Sequence, residues 1–211
     1  MERGRFITFE GGEACGKSTQ IARLRSRLEK VGVRVMLTRE PGGTWLAERI
    51  RELIKDQTEE APCDRTELLL FLAARAQLVR NVIRPALFRG EWVLSDRFSD
   101  STLAYQGYGR GLSLDVIRAI NSFACEDLTP DLTLLLEVAP DVAAARRRNR
   151  EAATATIADR IESAGEGFHV RLHAGFEELA RAEPERIRRI DAVGSIDEVE
   201  TRVWTSVRHL I

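Results

Sequence analysis

Phe6-Ile7-Thr8-Phe9 is a short run of β-favouring residues, after which the pattern changes period. Gly11, Gly12 and Gly16 lead into Ile21, Leu24 and Leu28, spaced as one face of a helix. Val33 to Thr38 predicts a second strand, closed by the breaker Pro41-Gly42-Gly43, and Leu46, Ile50, Leu53 and Ile54 mark a second helix. One long helical pattern runs from Thr66 to Leu87 and ends near Gly90. Trp92-Val93-Leu94-Ser95 predicts a third strand leading straight into Asp96-Arg97, with a polar, glycine-spaced loop to Gly111 behind it. Ser113 to Leu128 reads as helix, Leu132 to Val138 as a buried strand, and Pro140-Asp141 suits the first turn of another helix. Arg186 to Ile190 completes a set of five strands, and Ile196, Val199, Val203 and Val207 form the stripe of a closing helix. Strands separated by helices imply an α/β fold with a five-stranded parallel sheet covered on both faces.

A length of 211 residues fits one domain spanning 1–211, and 44% apolar with 31% charged residues excludes a disordered or collagen-like chain. Basic and acidic side chains number 32 and 33, so there is no general pull on nucleic acid or on an anionic membrane, and any phosphate must be gripped locally. The longest apolar run, Leu68 to Ala74, falls far short of the roughly 20 residues of a membrane span. Met1 to Phe6 lacks a leader's apolar stretch, so a cytoplasmic location is expected. Cys15, Cys63 and Cys125 match neither a zinc knuckle nor a disulfide framework and are expected as free thiols. Ala152 to Ala158, rich in alanine and threonine, reads as a mobile loop.

The chemistry concentrates first in Gly11-Gly12-Glu13-Ala14-Cys15-Gly16-Lys17-Ser18, which fits G-x-x-x-x-G-K-[ST] between a strand and a helix. Glycines let successive backbone N–H groups turn inward, and the helix start adds partial positive charge toward phosphates. Lys17 is expected on the β/γ oxygens of a nucleoside triphosphate and Ser18 on Mg²⁺, with Thr19 following. Cys15 has two readings, a small side chain that fits the loop or a thiol acidified by the helix start. None of the three asparagines precedes a lysine, which removes the guanine-reading Asn-Lys-x-Asp of a GTPase switch, and Ser95-Asp96-Arg97-Phe98 places an arginine where a motor ATPase would carry a second acid. That arginine suggests a second anion.

With Phe9-Glu10-Gly11, Thr38-Arg39-Glu40-Pro41-Gly42-Gly43-Thr44, Asp96-Arg97-Phe98 and Ser101-Thr102-Leu103-Ala104-Tyr105-Gln106 in this order, the sequence resembles the thymidylate kinases. The likeness extends through Asp159-Arg160-Ile161-Glu162 to Ile190-Asp191-Ala192. It implies a P-loop nucleoside monophosphate kinase fold with a lid at about 146–160. It also implies transfer of the γ-phosphate of ATP to dTMP, on the route to dTTP, and a homodimer.

The resemblance further implies a role for each matching residue. Arg97 holds the acceptor phosphate, and Asp96 orients it or reaches Mg²⁺ through water. Glu13 contacts the sugar 3′-hydroxyl and the phosphate-binding arginine. Phe71 stacks on thymine while Arg75, one helical turn on, donates to its O4. Thr102 and Gln106 bond the base, Tyr105 crowds a ribose hydroxyl, Arg39 and Ser101 complete the acceptor side, and Ala192 lies in the adenine loop. The phosphate loop itself carries no arginine, so the transition-state charge falls to the cluster Arg146, Arg147, Arg148 and Arg150, with Arg148 and Arg150 favoured and Arg160 in reserve. His169 and His173, spaced as a zinc pair but lacking further ligands, are expected to flank Phe168. The alternatives are another nucleoside monophosphate kinase and an ATP-binding interaction protein without kinase activity.

Overall fold

The structure, a computed structural model, describes residues 3–56, 60–139, 142–146, 148 and 165–211. The Ala/Thr-rich stretch, Arg147, Arg150, Arg160 and most of the expected lid lie outside them. Five strands, β1 (Phe6–Glu10), β2 (Val35–Arg39), β3 (Trp92–Asp96), β4 (Leu132–Glu137) and β5 (Ile187–Asp191), form one all-parallel sheet in the order β2-β3-β1-β4-β5. The first helices are α1 (Lys17–Lys30), α2 (Trp45–Lys55), α3 (Asp64–Leu78) and α4 (Arg84–Phe88). They are followed by α5 (Ser99–Thr102), α6 (Leu114–Cys125), α7 (described over 142–146), α8 (Glu166–Ala182) and α9 (Ile196–Val207).

The sheet is apolar on both faces, as its strand compositions require. Ile7, Phe9, Leu94 and Leu134 meet Leu24 and Leu28 of α1 and Val199, Val203 and Val207 of α9. On the other face Phe6 and Val93 pack on Leu78, Ile83 and Leu87, and Leu135 packs with Ile117, Leu172 and Phe176. Side chains alternate between faces along each strand, so Phe6 and Ile7 are both fully buried in different cores.

Two expectations are corrected. The long helix from Thr66 to Leu87 is interrupted by a π-helical turn at Val79–Ile83 between α3 and α4. The loop expected from Phe98 to Gly111 is instead helical: α5 continues into a π-helical segment, Leu103–Gly109, with the Arg110 N–H donating to the Tyr105 carbonyl. Gly107 and Gly109 look like breakers in sequence, but their role is close approach. A Cβ on Gly109 would lie 2.5 Å from the Phe168 ring, so α8 could not seat against this segment.

The carboxyl ends of the strands align, with Arg39 beside Asp96 and Phe9 beside Asp96 from the other side. This edge also holds the sheet's costliest side chain. Glu10 is fully buried, and its carboxylate accepts from the N–H groups of Phe98 (2.8 Å) and Ser101 (3.3 Å) and from the Ser101 hydroxyl (2.5 Å). Burial and the neighbouring charge of Asp100 push its pKa up to about 7, against the pull of Arg97 and these hydrogen bonds.

A folded-state pKa above the ordinary value near 4.5 means that the folded chain keeps this proton longer than the unfolded chain. The resulting stabilisation is complete below pH 4.5 and lost as the pH rises to about 7, a span of about 3 kcal/mol. Glu10→Gln abolishes this slope. Urea unfolding at pH 5 and pH 8 is expected to show the variant gaining stability relative to wild type at the higher pH, and parallel behaviour of the two proteins would contradict it.

Candidate active site

A cavity of about 800 Å³ lies along the carboxyl edge of the sheet, the position where open α/β sheets take ligands. Its middle is the phosphate loop. The chain leaves β1 at Gly11 with φ 126°, and a Cβ there would lie 2.3 Å from the Leu136 carbonyl oxygen, so glycine is required. Gly12, Glu13, Ala14, Cys15 and Gly16 then lead into α1, whose first residues Lys17, Ser18 and Thr19 line the cavity. Lys17 is buried, its Nζ donating to the carbonyls of Gly11 (3.1 Å) and Gly12 (2.8 Å). Ser18 Oγ donates to Asp96 Oδ2 at 3.3 Å, so the two expected metal-side groups do converge. Cys15 is buried, with its thiol on the Gly12 carbonyl, which favours the packing reading over the reactive one.

Arg97, the residue after β3, adopts a left-handed backbone with φ 71°, a costly state for a side-chain-bearing residue. Its N–H donates to the Phe9 carbonyl and its own carbonyl accepts from Ser95 Oγ. The guanidinium donates to the Gly11 carbonyl (3.0 Å), Ser101 Oγ (3.2 Å) and Glu13 Oε1 (2.6 Å), and lies 4.9 Å from the centre of the Tyr105 ring. One cation therefore touches both the phosphate loop and α5.

At the β2 end, Arg75 is 1% exposed. Its Nε and Nη2 bond Glu40, Nη2 also reaches the Phe98 carbonyl, and Nη1 donates to Asn121 Oδ1. Of its five N–H donors this occupies four and leaves one on Nη1. Burial raises the pKa of the Glu40 carboxyl despite the opposing charge and hydrogen bonds of Arg75. Phe71 lines the cavity and also packs against the Ala47, Ile50, Ile54 and Ala74 cluster. Among the described residues, neither Thr102 Oγ1 nor the Tyr105 hydroxyl finds a hydrogen-bond partner although both are buried. Gln106 Nε2 donates to Glu67 at 2.8 Å, and Arg110 pairs with the same carboxylate. Arg39 lies at the rim, paired with Glu48.

At the opposite end, Ala192 is joined by Gly194, Ile196 and Gln20, and Arg146 donates to the Ala192 carbonyl at 3.0 Å. Arg148 is helical and exposed and is not part of the cavity wall, and Arg150 lies outside the described residues. His169 lines the cavity and meets Phe168 edge-on, while His173 lies 3.9 Å from Glu177. Sequence reasoning missed Glu10, Asn121 and Glu67, whose partners lie far off along the chain. It also missed Arg51 and Lys55, two cavity-lining bases one turn apart on α2. Their spacing was a usable signal.

The profile of the family described as thymidylate kinase matches residues 9–203. The chain is 49% identical to the thymidylate kinase of Deinococcus radiodurans, over 98% of each chain, and 50% identical to that of Synechococcus sp. (strain JA-3-3Ab), over 96% of this chain and 95% of the relative. The crystal structure of thymidylate kinase from Ehrlichia chaffeensis superposes with a TM-score of 0.79 at 32% identity, over 98% of this chain and 99% of that one. The phosphate loop, the arginine beside it and the full-length likeness agree, and the chain belongs to the thymidylate kinase family.

Proposed function

We propose the following division of labour for the phosphoryl transfer from ATP to dTMP that this chain catalyses. The loop from Gly11 to Ser18 cradles the donor phosphates, and Lys17 moves from the Gly11 and Gly12 carbonyls onto the β/γ oxygens. Arg97 holds the dTMP phosphate in line with the donor, and Glu13, already on Arg97, meets the 3′-hydroxyl. Arg39 closes the acceptor side. The observation that carries this reading is the Arg97 guanidinium, which bonds the Gly11 carbonyl and Ser101 Oγ at once and so bridges the phosphate loop and α5. Transfer asks for alignment and neutralised charge more than for covalent chemistry, and fixed donors supply both.

Ser18 Oγ and Asp96 Oδ2, 3.3 Å apart, are hard oxygen ligands of the kind Mg²⁺ takes together with phosphate oxygens and waters, so the pair fits that ion. When bound it would add positive charge beside the donor phosphates. Arg146, on the Ala192 carbonyl, serves the adenine end. Transition-state charge is then left to Arg148 and Arg150 of a lid at about 146–160, in a chain that is one domain. The base is held by Phe71 stacking, the remaining Arg75 Nη1–H on O4, Thr102 and Gln106, with the Tyr105 ring excluding a ribose hydroxyl.

The rod made of α3 and α4 and its neighbour α6 carry Leu69 (60% exposed), Phe88 (88%), Val116 (56%) and Phe123 (88%). So much exposed apolar surface on two packed helices supports a homodimer. A cytoplasmic location suits the supply of both nucleotides and three free cysteines.

In a coupled ADP-release assay over a panel of monophosphates, dTMP is expected to turn over fastest. The missing methyl of dUMP costs about 1 kcal/mol, several-fold in kcat/KM. dCMP is expected to fall by at least about 10², because its amino group faces an arginine donor. Comparable rates with dCMP or GMP would contradict the base assignment. Light scattering is expected to show a dimer for wild type and a monomer for Phe123→Glu, and a monomeric wild type would refute the dimer.

A further inference from the structure

Glu10 has no part in the roles assigned above, yet it is the most expensive residue in its strand. An ionisable carboxyl at 0% exposure costs several kcal/mol of desolvation unless its partners return it. Phe6, Ile7, Thr8 and Phe9, also buried, show that the strand needs no acid to pack. The three donors Glu10 accepts belong to one short segment, Phe98 to Ser101, which follows Arg97 directly.

This segment decides where Arg97 points. The left-handed Arg97 persists only if its flanks are fixed. Its own N–H and carbonyl are held by Phe9 and Ser95, and the next N–H along the chain, that of Phe98, is held by Glu10. Glu10 also acts on the far end of the same side chain. Ser101 Oγ donates to Glu10 Oε2, which leaves its lone pairs to accept from Arg97 Nη1 at 3.2 Å. Glu10 therefore braces Arg97 at the backbone and at the guanidinium without touching the cavity itself.

We propose that Glu10 is a positioning residue for the acceptor phosphate, setting the aim of Arg97 through the Phe98–Ser101 turn. The proposal rests on the reading of Arg97 as the holder of the dTMP phosphate. Glu10→Gln keeps an acceptor for the Phe98 and Ser101 N–H groups and offers the Ser101 hydroxyl a donor in place of an acceptor. Glu10→Ala removes every contact.

The test compares KM for dTMP and KM for ATP in wild type, Glu10→Gln, Glu10→Ala, Arg97→Ala and the Glu10→Ala/Arg97→Ala double variant. Glu10→Ala is expected to raise KM for dTMP by at least about tenfold, the scale of losing hydrogen bonds to a charged group, and to leave KM for ATP within about threefold. Glu10→Gln is expected to restore most of the loss. In the Arg97→Ala background, removing Glu10 is expected to change KM for dTMP little, because its effect passes through that arginine. Equal rises in both KM values, additive effects in the double variant, or a Glu10→Gln variant as impaired as Glu10→Ala would overturn the proposal. If Arg97→Ala alone leaves KM for dTMP unchanged, the fault lies in the reading of Arg97 instead. Should Glu10→Ala not fold, Glu10→Asp shortens the brace by one methylene, and the same selective rise in KM for dTMP is expected of it; its absence would overturn the proposal.

Discussion

The constraint around which this site is arranged is Arg97, pinned at the seam between β1 and β3. Its left-handed backbone is unfavourable in isolation. The sheet stabilises it: the Phe9 carbonyl accepts from Arg97 N–H, Ser95 Oγ donates to the Arg97 carbonyl, and Glu10 accepts from the following Phe98 N–H. The guanidinium then lies against Gly11 and Glu13 on one side and Ser101 on the other. If Arg97 is the phosphate holder proposed above, these fixed contacts spare the reaction a reorganisation cost, which is where electrostatic catalysis gains most.

The strand order gives this seam its meaning. With β1 between β3 and β4, the phosphate loop leaving β1 and the Asp96-Arg97 corner leaving β3 are neighbours although they lie far apart in sequence. Two further buried carboxylates extend the same logic outward. Glu40 locks Arg75, leaving a single Nη1–H outside these bonds, and Glu67 receives the Gln106 amide and Arg110. In each case an acid near the end of one element aims a polar side chain of another.

The parts of this arrangement that depend on local pattern could be read from the sequence. β1, the phosphate loop and α1 follow from a change of period around three glycines, and all five strands lie within two residues of their expected starts and one of their expected ends. Ser101, Thr102, Tyr105 and Gln106 were identified by motif, but their setting was not, because Gly107 and Gly109 read as breakers when they are contact points for α6 and α8 respectively. What could not be read was pairing across the fold. Nothing near Glu10 announces that a strand of buried apolar residues ends in a bracing carboxylate. Nor does anything near Arg75 announce partners 35 and 46 residues away. Long-range hydrogen bonds are fixed by topology, which local periodicity does not encode.

The path of the phosphates can be seen in a crystal structure with a bisubstrate analogue, adenosine and thymidine joined through a chain of phosphates. The phosphate chain is expected to run from the amides between Gly12 and Ser18 to the Arg97 guanidinium, with the thymine ring between Phe71 and the Tyr105–Gln106 segment. A chain that leaves the loop without reaching Arg97, or a thymine lodged beside Ala192, would contradict it.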